Sequence, residues 1–193
     1  MYCGILLSGS TDEDSCVAFL EEGAIETFSV ETNDEIIELV DEKSPEIITL
    51  NASPERKQRG EGFSEPEDSE GSLDPETASK FREGEQELVE EGHSLLPQRM
   101  REKSVLERAD HLSRRIEASG SGSQIIESNS RIVTEILDLS GDEELEDLGI
   151  ETSDIETVWE YDAVVLAVVA KLYSDDRCEE HGIIVPEEGV ESV

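Results

Sequence analysis

The order of elements in the first fifty residues constrains the fold most tightly. "YCGILLS" (2–8), "SCVAFLE" (15–21) and "AIETFSV" (24–30) are short, β-rich runs separated by turn residues, Gly9-Ser10-Thr11-Asp12 and Glu22-Gly23. Short turns join neighbouring antiparallel strands, so these three runs predict a meander. Thr32-Asn33-Asp34-Glu35 then forms a capping box, and Ile36, Ile37, Leu39 and Val40 supply a helical apolar stripe that Pro45 closes. The buried run 46–51, "EIITLN", follows. A strand reached through a crossover helix lies parallel to the strand it rejoins. The reading is β-β-β-α-β, with 46–51 parallel to 2–8 and a later run, "QIIES" (124–128), parallel beyond it.

The middle of the chain changes character. Residues 52–75 are rich in Gly, Ser, Pro and acids and read as an exposed acidic loop. A helical insertion at 76–118 follows, with segments at 76–91 and 98–118. After "QIIES", Asn129 or Ser130 caps a helix through about Leu139, and "SGDEELEDLGI" forms a short acidic helix or turn. Ser153-Asp154-Ile155-Glu156 reads as a second capping box. It opens the most apolar helix, 154–173, with Val158, Trp159, Val165, Leu166, Val169 and Leu172. "GIIVP" (182–186) is a last short strand. The whole, residues 1–193, reads as one α/β domain.

Charge narrows the setting. Fifty Asp and Glu stand against fifteen Lys and Arg, a formal net charge of −35. The acids are spread over nearly every element, and periodic apolar segments run throughout, which argues against disorder. Adaptation to high salt fits this pattern, because molar salt screens self-repulsion while hydrated carboxylates keep the chain dissolved. A third reading, mimicry of a nucleic acid, requires a contiguous acidic face. "MYCGILLSGS" lacks a basic n-region, and the run "AVVLAVVA" is too short to span a bilayer. Cys3, Cys16 and Cys178 form no C-x-x-C pair and read as reduced thiols. The expectation is a cytoplasmic, halophilic protein with no membrane association.

Three polar residues interrupt buried elements. Asn51 ends the strand "IITLN", Glu127 ends "QIIE", and Asp162 lies on the stripe of the apolar helix with Val158, Leu166 and Val169 at i−4, i+4 and i+7. On parallel strands the first two ends are neighbours, at the end of the sheet where open α/β folds bind ligands. Carboxylates converging there suggest a divalent-metal site for phosphoryl chemistry. Each residue also has a plainer explanation: Asp162 solvated just off the stripe, Glu127 a surface acid, Asn51 a turn former before Ser-Pro. Together with β-β-β-α-β and a final apolar helix bearing an acid, the element order is that of a ribonuclease H-like fold.

On these motifs the chain resembles the "four-two-nine" domain of unknown function family, described as predicted nucleases with a ribonuclease H-like fold. Gly4-Ile5-Leu6 aligns with a first-strand Gly-Ile-Asp, and Leu50-Asn51-Ala52-Ser53-Pro54 with Ile-Asp-Ala-Pro. Arg82 and Glu85 match an Arg-x-x-Asp helix motif, and Ile126-Glu127 matches a later Ile-Glu. Tyr161-Asp162-Ala163 and Val185-Pro186 match the final helix and strand. The resemblance implies a catalytic site at Leu6, Asn51, Glu127 and Asp162, with Glu127, Asp162 and Glu85 as metal ligands for Mg²⁺ or Mn²⁺. Here two of those carboxylates are replaced by Leu6 and Asn51. The implied function is therefore a nuclease-like scaffold that has lost phosphodiesterase activity and serves as a binding or regulatory module. The alternative is an active nuclease or phosphoesterase with displaced ligands such as Asp12 or Asp14.

Phosphate contacts, if any, fall to Arg56, Lys57 and Arg59 or to the window 99–115. That window holds Arg99, Arg101, Lys103, Arg108, Arg114 and Arg115 against three acids. These side chains read either as a nucleic-acid surface or as a solvated helix face with i,i+4 ion pairs such as Lys103–Glu107. His93, His111 and His181 lack metal-ligand spacing and are given no role.

Overall fold

The computed structural model describes residues 1–9, 14–52, 81–95 and 103–193. Asp12, Arg56, Lys57, Arg59, Arg99, Arg101, the 53–75 part of the acidic loop and the predicted helical residues 76–80 and 98–102 lie outside them. The elements are β1 (Tyr2–Leu6), β2 (Ser15–Glu21), β3 (Ala24–Val30), α1 (Asn33–Lys43), β4 (Ile47–Leu50), α2 (Glu83–Glu90), α3 (Lys103–Ser119), β5 (Gln124–Glu127), α4 (Ser130–Ile136), α5 (Asp142–Asp147), α6 (Val158–Ser174), β6 (Cys178–Glu180) and β7 (Ile184–Pro186). Five strands form a mixed sheet in the order β3-β2-β1-β4-β5. β1–β2 and β2–β3 pair antiparallel, whereas β1–β4 and β4–β5 pair parallel. This is the mixed α/β sheet expected of a ribonuclease H-like fold, with β1 inside it and next to β4.

Strand periodicity deals the side chains to two faces. Cys3, Ile5 and Leu7 of the first strand segment join Val17, Phe19, Ile48 and Leu50 in a core shared with Ile36, Val40, Leu112 and Ile116 of α1 and α3. Leu6, Cys16, Ala18, Leu20, Ile47 and Ile126 join the other core, beneath α6. Helix α6 is buried from Ala163 through Ala170 and is the apolar wall of that layer. A smaller cluster of Leu88, Ile132, Ile183 and Val185 ties α2 and α4 to the end of the β6–β7 hairpin.

Helix α6 crosses β1 at very short range. A Cβ added to Gly4 would lie 2.1 Å from the Ala163 carbonyl oxygen and 2.3 Å from the Ala167 nitrogen. The chains run antiparallel, since the Tyr2 hydroxyl lies 3.2 Å from Ser174 Oγ at the far end of the helix. Leu6, two residues beyond Gly4, therefore underlies the N-terminal turns of α6.

One local expectation is corrected, and one strand appears that the sequence does not announce. Helix α6 starts at Val158, not at 154: Thr157 is the N-cap, its hydroxyl accepts from Glu160 N, and the Glu160 carboxylate accepts from Thr157 N. Both Ser153-x-x-Glu156 and Thr157-x-x-Glu160 satisfy the capping-box pattern. Thr27 of β3 favours the second by donating to the Asp154 carbonyl at 3.4 Å and to Glu160 Oε1 at 3.5 Å. Val158 and Trp159 consequently fall in the first turn, where they are 74% and 55% exposed rather than part of the buried stripe. Strand β6 carries "CEE", which has no apolar alternation to announce it, and forms by pairing with β7.

A methyl at Gly4 meets backbone on the opposing helix, which no rotamer change relieves. Gly4→Ala should destabilise the protein by about 3 kcal/mol or more. A urea melt of the two proteins measures this, and a loss below about 1 kcal/mol would show that the helix can lift from the sheet.

Candidate functional site

The sheet row that continues Ile5–Leu50–Glu127 is Leu6–Asn51–Ser128, as the register of β1, β4 and β5 dictates. Glu127 thus shares a row with Ile5 and Leu50, and Asn51 shares one with Leu6. A one-residue offset in a strand exchanges faces. The structure brings the three strand ends together but starts Glu127 and Asn51 on opposite faces of the sheet.

Asn51 is bound to the neighbouring strand by both ends of its amide. Its Oδ1 accepts from Leu7 N at 2.9 Å, and its Nδ2 donates to Leu7 O at 3.1 Å. The side chain thereby extends the parallel ladder after β1 and β4 have ended. An ionised carboxylate accepts hydrogen bonds only and cannot satisfy the Leu7 carbonyl.

Glu127 is nearly buried and faces an arginine. Arg82 Nη1 donates to Glu127 Oε2 at 2.7 Å, and Nη2 donates to Oε1 at 3.0 Å. The same guanidinium donates to Glu85 Oε1 from Nε at 2.8 Å and from Nη2 at 2.5 Å. Glu85 is fully buried, and its Oε2 accepts from the Arg82 backbone N at 3.0 Å. One cation therefore lies between two carboxylates. Burial lowers the Arg82 pKa, but hydrogen bonds and charge from Glu127 and Glu85 outweigh it and raise the net value. In the sequence Arg82 and Glu85 are only a spacing; their bonding to Glu127 follows from the docking of α2 against β5.

Asp162 is partly buried on α6 and pairs with Ser130 at the start of α4. Burial raises its pKa, and the Ser130 hydrogen bond opposes that rise. The close approach of its neighbour Ala163 to Gly4, with α6 running antiparallel to β1, places it toward the end of β1. Leu6 itself is 7% exposed and packed in the α6 core. Asp14 is exposed.

These residues do not fit a divalent ion as they stand. Leu6 has no lone pair, Asn51 offers only a neutral carbonyl that already accepts from Leu7 N, and the oxygens of Glu85 and Glu127 face a guanidinium. Among the described residues, no group of three His, Cys, Asp or Glu is arranged to hold a metal. The described basic residues of the window are likewise engaged. Lys103 pairs with Glu107 at 3.2 Å, Arg114 with Asp110 at 2.5 Å, and Arg115 with Asp34. Arg108 turns inward: its Nη1 donates to Ser8 O at 2.9 Å and its Nε to Asn33 Oδ1 at 3.1 Å. The i,i+4 pairing expected of a solvated helix face is present at Lys103 and Arg114.

His181 has a structural task the sequence does not announce. It lies in the β6–β7 turn with Glu87 Oε2 3.0 Å from Nδ1 and Glu179 Oε2 3.1 Å from Nε2. Its backbone lies against Gly84, where a Cβ would come within 2.3 Å of the His181 carbonyl carbon. This clasp holds α2, and with it Arg82, against the hairpin.

No family model matches the chain, and no curated protein matches it. Among solved structures, RuvC from Thermus thermophilus is similar, with 13% identity and a TM-score of 0.47 over 95% of this chain and 98% of that one. Among the described residues no helix is long and apolar enough to cross a membrane.

Removing Arg82 leaves two buried carboxylates facing each other. Arg82→Ala should lower stability by about 3–5 kcal/mol at neutral pH. The deficit should narrow in acid, where the carboxylates take up protons. Thermal melts across pH test this, and a variant as stable as the parent at neutral pH would remove the ion triad from the account.

Burial lowers the His181 pKa, but the Glu179 and Glu87 bonds outweigh it and hold it above the ordinary 6.5. The clasp then stabilises the fold fully below the ordinary imidazole pKa. It fades as pH rises through the folded-state value. The melting temperature of the parent should fall across that window relative to His181→Gln, and parallel curves for the two would refute the linkage.

Proposed function

We propose that this protein is a ribonuclease H-like scaffold that has lost metal-dependent phosphodiesterase chemistry and acts as a binding or regulatory module. The resemblance to the "four-two-nine" family of predicted nucleases supplies the frame, and the replacement of two aligned acids by Leu6 and Asn51 supplies the departure. The observation that carries the reading is the pair of hydrogen bonds from the Asn51 amide to Leu7. At that position the fold uses a donor and an acceptor together, which a metal-binding carboxylate does not provide. Arg82 supports the same reading, since a guanidinium brings positive charge to Glu85 and Glu127 without an added cation. The net charge of −35, spread along the chain, favours work in concentrated salt.

The test is made in molar KCl. The parent protein should cleave neither DNA nor RNA with Mg²⁺ or Mn²⁺. Asn51→Asp alone should cost about 1–3 kcal/mol, because the Leu7 carbonyl loses its donor and meets a carboxylate. Leu6→Asp with Asn51→Asp should be less stable still without metal, yet gain more in melting temperature from Mn²⁺ than the parent does. Equal Mn²⁺ shifts in both would sink the assignment of Leu6 and Asn51 as former ligand positions. Metal-dependent cleavage by the parent, abolished by Asp162→Asn, would establish the active-enzyme reading instead.

A further inference from the structure

Val158 and Trp159 are the exposed large apolar side chains among the described residues, at 74% and 55%. They adjoin each other in the first turn of α6. Nothing in the cap asks for them, since the Thr157–Glu160 box is made by the residues on either side. Their surroundings carry one sign of charge. Between Arg131 and Lys171 the sequence has twelve Asp and Glu and no Lys or Arg. Several of these acids are gathered at this end of α6. Glu160 caps the helix. The Tyr161 hydroxyl donates to the Gly141 carbonyl at 3.3 Å, which brings the start of α5 alongside. Burial pushes the Tyr161 phenol up to about 12, and Glu144, Asp142 and Asp162 push in the same direction. Glu151, Asp154 and Glu156 are exposed on the segment leading into the helix.

We propose that Val158 and Trp159 are the anchor of a docking site for a basic polypeptide segment, one carrying Arg or Lys beside apolar side chains. Exposed tryptophans at the centre of a patch make binding hot spots when a polar rim surrounds them. Here the rim is acidic, so it attracts cationic side chains and repels phosphates. The indole face also accepts a guanidinium directly. The same charge disfavours a second copy of this chain, which would bring an identical acidic rim. This surface goes beyond the loss of metal chemistry and stands independently of it.

Trp159 is the single tryptophan of the chain, so its fluorescence reports this site alone. Titration with a synthetic arginine- and leucine-rich peptide should shift and quench that emission. A labelled peptide followed by anisotropy should bind Trp159→Ala about tenfold or more weakly, and Trp159→Phe should retain most of the affinity. Asp142→Asn with Glu156→Gln should weaken binding and flatten its salt dependence. Asp41→Asn with Glu42→Gln, the same charge change on α1 across the sheet, should leave affinity unchanged. Equal affinity of Trp159→Ala and the parent would reduce the effect to overall charge and overturn the site. Two other outcomes would overturn the choice of occupant. One is sedimentation showing a dimer that Trp159→Ala dissolves. The other is quenching of Trp159 by an oligonucleotide but not by the peptide. Because these readouts need no metal, recovery of nuclease activity elsewhere would not decide them.

Discussion

The closeness of Gly4 to the backbone of α6 governs the arrangement of the rest. Strand β1 is inside the sheet, and α6 lies on it with no side chain between them at Gly4. Ala163, Ala167 and Ala170 keep the helix side of the contact small and are fully buried. Two backbones this near admit little sliding, so the axial position of α6 is set by β1. That position decides which residues stand over the strand ends. It brings Asp162 above the end of β1 and leaves Val158 and Trp159 beyond the sheet, in water.

At the strand ends, several polar groups are bonded by the chain itself. Asn51 bonds to Leu7, Glu127 and Glu85 to Arg82, and Asp162 to Ser130. A buried ion pair gains little net stability over an apolar replacement, but losing one partner is costly. Such a triad therefore holds α2 in one pose more than it adds to overall stability. The hairpin turn at His181 packs against the same helix at Gly84, with Gly182 beside Arg82 and Glu85. The end of the sheet that binds ligands in open α/β folds is thus braced by internal contacts.

The charge of the chain divides along similar lines. The described basic residues of α3 meet acids or turn inward, which leaves the acidic excess to dominate the surface. With that surplus, association with phosphate is opposed and association with cationic groups is favoured. The apolar residues stranded at the start of α6 lie in a long stretch, 132–170, that has no Lys or Arg. The charge and the exposed indole point to the same kind of partner.

The sequence by itself determined the sheet. β2 and β3 occur at the expected bounds, and β1, β4 and β5 begin or end within two residues of them, because period-two apolar runs and turn chemistry act locally. The crossover rule then placed β4 beside β1 and parallel to it. Tertiary structure decided what the polar residues do. Two consecutive capping boxes are equivalent as sequence, and Thr27, more than a hundred residues away, bonds to the cap of the second. Asn51 could be read as a turn former or a lost acid, and only the meeting of two strand ends gives its amide the Leu7 peptide. The register deals Glu127 to the row of Leu50 and away from Asn51, and Arg82 reaches it from a helix distant in sequence. Hydrogen-bond partners at such sites are set by long-range geometry, and local patterns carry no record of it.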